Sequence, residues 1–198
     1  MNHLETYRFW GYAATFGALW GAVEITVGSF LHAVRVPLSG VVLAAFGAAL
    51  LVSLRSLLPV RGVVLAAGAV CAGVKLLSPA GAIVGPMIAI LVEAALVELV
   101  LLPVGANPVS GATAGAAASL WALCQKLITQ TLFYGLPVIG IYQGILQQAE
   151  KLLGVEQSGG MWAAGVLIGM VACVGAAFGL GGGLVGNGAC RQLEREGA

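Results

Sequence analysis

Six apolar runs follow one another along this chain, at about residues 9–31, 37–54, 60–77, 83–102, 110–132 and 161–184. No other feature constrains its fold as much. A helix of roughly 20 residues, rising about 1.5 Å per residue, crosses the ~30 Å of hydrocarbon in a bilayer. The punctuation between the runs is sharp: Pro37 after the first, Arg55, Pro59 and Arg61 after the second, Ser78 to Gly81 after the third, and Pro103 to Pro108 after the fourth. Strand-like alternation is absent, so a transmembrane β-barrel is not expected. The expectation is an all-α integral membrane protein, six transmembrane helices in one bundle that forms a single domain over 1–198. Composition agrees, at 60% hydrophobic and 9% charged residues, against about 25% charged in soluble domains. Thirty glycines suit helices that pack closely in lipid. A net charge of +1 gives no reason to expect nucleic-acid binding.

The first run is too long for a signal-peptide core of roughly 7–15 residues and carries Glu24, so it reads as a retained span. Arg8, Arg55, Arg61, Arg191 and Arg195 fall on the side of the termini, and Arg35, Lys75 and Lys151 on the other, with Lys126 deeper in a span. The excess of basic residues predicts both termini in the cytoplasm. The long connection 133–160 then lies outside. Its stretch 143–153 places Ile145, Leu146, Ala149, Leu152 and Leu153 on one face, an amphipathic helix that serves as a surface connector or as a gate.

Catalytic motifs are missing. The glycines from Gly179 to Gly183 lack the GK[ST] ending of a phosphate-binding loop, and HExxH and GxSxG do not occur. His3 and His32 are the only histidines, and Cys71, Cys124, Cys173 and Cys190 stand singly as apolar filler. Neither enzyme activity nor a cofactor or metal is expected. Any energy for transport comes from a partner or an ion gradient.

The acidic residues are all glutamate, and several sit at membrane depth. On the predicted orientation, Glu24 lies about 10 Å below the outer end of the first helix and Lys126 about 9 Å below that of the fifth, with Gln130 one turn above it. Glu93 is near the middle of the fourth helix, Lys75 near the outer end of the third, and His32 at the outer end of the first. Ionisable groups inside a membrane face a bundle interior and pair there. The predicted ligand site is therefore one pocket in the outer half, made by Glu24, Glu93, Lys126 and Gln130. Lys75 and His32 lie close by, with Tyr134 and Trp162 at its mouth. Lys75 equally suits snorkelling, His32 an interfacial position and Trp162 an aromatic belt. Glu93 and Glu98, about 140° apart around a helix, do not suit joint chelation of one ion.

In the first run Ala14, Ala18 and Ala22 recur every four residues, beside a second ridge of Ala13, Gly17 and Gly21. Such a smooth face lets another helix lie closely against it. With this motif the chain resembles the substrate-binding S components of energy-coupling factor (ECF) vitamin transporters, bacterial and archaeal proteins of this size with six helices and an Ala-x-x-x-Ala-type motif in the first. The stretches from Gly85, Pro86 and Met87 to Glu93 and from Gly105 to Trp121 also look similar to small S components.

The resemblance implies a multi-pass subunit of the cytoplasmic membrane that captures a vitamin or vitamin precursor from outside. It would dock Ala14, Ala18 and Ala22 onto a transmembrane T component driven by two cytoplasmic ATPases, then topple to release its cargo. By the same resemblance, substrate contacts come from the first outer loop, the outer ends of the last three helices and the loop before the sixth. Two readings of other classes stand beside it. One is a self-contained secondary transporter using Glu24, Glu93 and Lys126 as a charge relay, and the other a structural subunit without a ligand.

Overall fold

The computed structural model describes residues 3–34, 36, 38–77, 84–134, 147, 151 and 160–196, and the side chains of most of these. Among these residues six helices follow in order: α1 (His3–Ala33), α2 (Ser39–Leu57), α3 (Val63–Lys75), α4 (Val84–Val104), α5 (Pro108–Tyr134) and α6 (Gly160–Glu196). Four of them, α1, α2, α4 and α6, contain stretches long and apolar enough to cross a membrane. This architecture is compatible with a helical membrane protein. The helices match the apolar runs in number, but not all in length. With 13 residues, α3 spans only about 20 Å, whereas α1 and α6 extend beyond the apolar runs into exposed polar ends.

Some boundaries follow from local chemistry. Asn107 caps α5 ahead of Pro108, whose missing N–H costs nothing in a first turn. Asn107 Oδ1 accepts from the Ser110 N–H at 2.9 Å, and Ser110 Oγ accepts from the Asn107 N–H at 2.9 Å, a reciprocal cap. Just before it, Gly105 takes φ 69°, and its N–H bonds the Leu101 carbonyl to end α4.

The helices run up and down. Trp20 of α1 is seated on Gly47 of α2, and Gly28 faces Leu43, so this pair is antiparallel. In the same way Gly68 of α3 faces Ile90 and Ala94 of α4. By contrast, α1 and α3 are parallel neighbours, with Gly17 against Ala67 and Val70, and Gly21 against Cys71 and Val74. Gly17 and Gly21 thus belong to the interior of the bundle.

The closest crossing joins α5 and α6. A methyl group built on Gly115 would stand 2.0 Å from the Gly175 carbonyl oxygen, and one on Gly179 2.0 Å from that of Gly111. Two GxxxG rows therefore meet backbone to backbone, as close helix packing in lipid requires. Further along α6, Gly182 meets Ala49, and Gly186 meets Ser53 and Ser56 of α2. Ser53 Oγ bonds the Gly182 carbonyl at 2.8 Å. Packing is what the glycine-rich end of α6 does.

The end of the bundle where α2 finishes and α3 begins holds an ion pair. Arg55 Nη1 lies 3.6 Å from Glu98 Oε1, with both side chains about 95% buried. Glu98 Oε1 also accepts the Gly62 N–H at 2.8 Å, and Arg55 donates to the Val60 carbonyl. Gly62 stands at φ 84°, in the left-handed region that favours glycine. Together these bonds pin the α2–α3 turn to α4. Sequence order places Arg55 among the interfacial basic residues; the fold buries it instead, because Glu98 and Val60 satisfy it there. Removing one partner of a buried pair typically costs about 3–5 kcal/mol, whereas apolar replacement of both is often close to neutral. Glu98→Leu is therefore expected to lower the unfolding midpoint in detergent strongly, and the Arg55→Met/Glu98→Leu double variant to recover most of it. A double variant as unstable as the single one would contradict this account.

Candidate functional site

At the opposite end, the register of α3 on α1 decides the geometry. Because Gly21 of α1 packs beside Cys71 and Val74, α3 finishes level with Glu24 and not at the rim. Lys75 Nζ thereby reaches the Glu24 carboxylate at 3.4 Å and the Glu24 carbonyl oxygen at 3.2 Å. Their side chains retain 13% and 11% of their exposure. Of the two uses open to Lys75, the structure selects pairing over snorkelling.

Glu93 joins the same site from α4 and is 6% exposed. The pairing of Gly68 with Ile90 and Ala94 sets it about two turns, roughly 10 Å, nearer the Arg55 end than Lys75. It remains within electrostatic reach of Glu24, and Cys71 lies in the field of Glu24, Glu93 and Lys75 together. Glu93 forms no hydrogen bond or ion pair among the described residues. Burying a charge without a partner is costly. Among the described residues no group of three or more His, Cys, Asp or Glu side chains is placed to hold a metal ion.

Lys75→Met removes the Lys75 ammonium from beside the Glu24 carboxylate. The expected result is a lower thermal midpoint than for Lys75→Arg, which keeps the charge, when both are measured in the same detergent. Equal midpoints would show that the pair contributes packing alone.

The other predicted site residues divide into two groups. Trp162 is 55% exposed, at the start of α6. The side chains of His32 on α1 and of Lys126, Gln130 and Tyr134 on α5 lie outside the described residues, as does most of 133–160 with its amphipathic stretch. On α1 the two small-residue ridges, about 100° apart around the helix, differ in exposure. Ala13, Gly17 and Gly21 are buried, whereas Ala14, Ala18 and Ala22 are exposed. Thr15 and Thr26 flank the exposed ridge and bond back to the Gly11 and Ala22 carbonyls, so their hydroxyls are satisfied within the helix.

The Arg55–Glu98 pair and the position of Cys71 inside the charge site were not anticipated. Opposite charges at the same end of α2 and α4 were the available signal for the first, but nothing in the sequence marks Cys71. The fold and the site define a helical bundle compatible with a membrane and carrying a buried cluster of ionisable residues. No protein-family model, curated protein or solved structure matches this chain.

Proposed function

We propose that this protein is the membrane-embedded capture subunit of an energy-coupling factor type importer, taking up a vitamin or vitamin precursor. One observation carries the reading, the exposed ridge of Ala14, Ala18 and Ala22 on α1. Its neighbour ridge is consumed by packing on α3, so the chain has two close-packing faces on one helix and uses only one internally. The free face suits a transmembrane T component, because small side chains allow the approach that holds helices together in lipid. In this reading Glu24, Lys75 and Glu93, with Lys126, Gln130, His32, Tyr134 and Trp162, form the cargo site. All six helices cross the membrane, α3 and α5 included, with both termini in the cytoplasm. Two cytoplasmic ATPases supply the energy.

Purification of the tagged chain from its native membrane tests this reading. Recovery of an ATPase pair with a membrane subunit is expected. A chain that arrives alone and transports when reconstituted alone in liposomes would replace the proposal with the secondary-transporter reading. That second reading has its own support: Glu93 lies between the Lys75–Glu24 pair and the Glu98–Arg55 pair, a file of ionisable groups along the bundle.

A further inference from the structure

At the end of the bundle where α1 begins, the tertiary structure assembles a layer of arginines. Gly17 of α1 packs on Ala67 and Val70 of α3, and Gly186 of α6 packs on Ser53 and Ser56 of α2. Counted along each helix from those contacts, Arg8 of α1, Arg61 of the α2–α3 turn and Arg191 of α6 stand within about one helical turn of the same level. All three are exposed, whereas Arg55 is drawn out of the layer by Glu98. Toward the middle of the bundle the exposed surface is apolar, with Leu19 on α1, Leu65 on α3 and Leu184 and Val185 on α6. Tyr7 and Trp10 are exposed at the layer itself. The exposed acids of the same helices lie further out, Glu5 about 4–5 Å beyond Arg8, and Glu194 and Glu196 about 4–8 Å beyond Arg191. Apolar surface, then arginine and aromatic rings, then acids is the order a bilayer imposes from hydrocarbon through phosphates to water.

We propose that Arg8, Arg61 and Arg191 bind the headgroup phosphates of anionic phospholipids, so that this end of the bundle selects an acidic leaflet. The inference rests on the membrane-embedded part of the proposed function and not on import. A guanidinium presents paired N–H donors that match two phosphate oxygens. Basic residues at a membrane surface gain from a negative leaflet over about a Debye length, so anionic lipids are favoured over zwitterionic ones. The acids act on the same phosphates from further out, through water and salt, where screening weakens them.

The test reconstitutes the full chain at constant ionic strength in nanodiscs of phosphatidylcholine, alone or mixed with phosphatidylglycerol or phosphatidylserine. Thermal midpoint and the lipids retained in native mass spectrometry are the readouts. Both anionic lipids are expected to raise the midpoint and to be retained at least threefold above their share of the bilayer. The triple variant Arg8→Gln/Arg61→Gln/Arg191→Gln is expected to lose both effects. Glu5→Gln/Glu194→Gln/Glu196→Gln is expected to keep them. If the arginine variant fails to fold, the wild-type protein still decides, because its anionic-lipid retention is expected to fall as sodium chloride is raised. Four results would overturn the proposal: retention in proportion to bilayer composition, a preference that survives the arginine variant or high salt, selection of one anionic headgroup but not the other, or equal stabilisation by free inorganic phosphate in phosphatidylcholine. The last would make the ligand a soluble anion. Failure to enter any of these bilayers would remove the membrane reading itself, whereas entry without preference would remove only this inference.

Discussion

Gly175→Leu is expected to prevent recovery of folded protein, whereas Gly169→Leu, less than two turns away on the same helix, is expected to change the unfolding midpoint little. Both substitutions add the same bulk and the same helix propensity, so propensity cannot separate them. What differs is the neighbourhood. A methyl group on Gly175 would lie 2.2 Å from the Gly115 carbonyl oxygen and 2.4 Å from Ser119 Oγ, while one on Gly169 meets nothing within 4 Å. Overpacking a core ordinarily costs about 1–3 kcal/mol because side chains yield. Here the nearest obstacle is the backbone carbonyl of Gly115, which cannot swing aside, so α5 and α6 must separate along the crossing. Without a hydrophobic force between helices in lipid, that lost contact has little to replace it. Size-exclusion profiles and thermal midpoints of the two variants in one detergent check the contrast. Similar behaviour of both would show that the crossing is not the seam holding α5 and α6 together.

On the proposed import reading, Ala18→Trp is expected to abolish uptake in cells while leaving the folded state of the isolated protein intact. Ala18 is exposed between Ala14 and Ala22, so an indole there projects outward and disturbs no internal contact. A partner helix seated on the ridge would be held several ångströms further away, and van der Waals attraction at that distance is largely lost. Ile88→Trp supplies the control, since Ile88 is 54% exposed on α4, away from the ridge. It is expected to keep uptake near the wild-type level. Uptake measured with the whole transporter, and the midpoint of the purified chain, separate the alternatives. If Ala18→Trp imports normally, the ridge is ordinary lipid-facing surface. If it unfolds, the ridge belongs to internal packing after all.

Helix number, order and approximate limits were legible in the sequence, because apolar run length and proline are local properties of the chain. Glu24 and Glu93 were legible as buried charges for the same reason: a carboxylate within an apolar run has few other places to go. The length of α3 was not, since its run continues through Leu76 and Leu77, which are apolar but lie beyond the last helical turn. The register of α3 on α1, with Gly21 beside Cys71 and Val74, is what sets Lys75 at the level of Glu24. Pairings such as Lys75 with Glu24 and Arg55 with Glu98 join residues far apart in the chain, so they depend on which helices become neighbours.

The two ridges of α1 draw the division most sharply. Spacing alone established that Ala13, Gly17 and Gly21, and equally Ala14, Ala18 and Ala22, form smooth stripes about 100° apart on one helix. Both stripes are small enough for another helix to lie closely against them. Only the tertiary structure decided that the glycine-containing stripe faces inward. There α3 approaches so closely that a methyl group on Gly17 would stand 2.5 Å from the Ala67 carbonyl oxygen, a gap alanine cannot enter. The alanine stripe is left outside by that choice, because a single helix cannot turn both faces to the same neighbour.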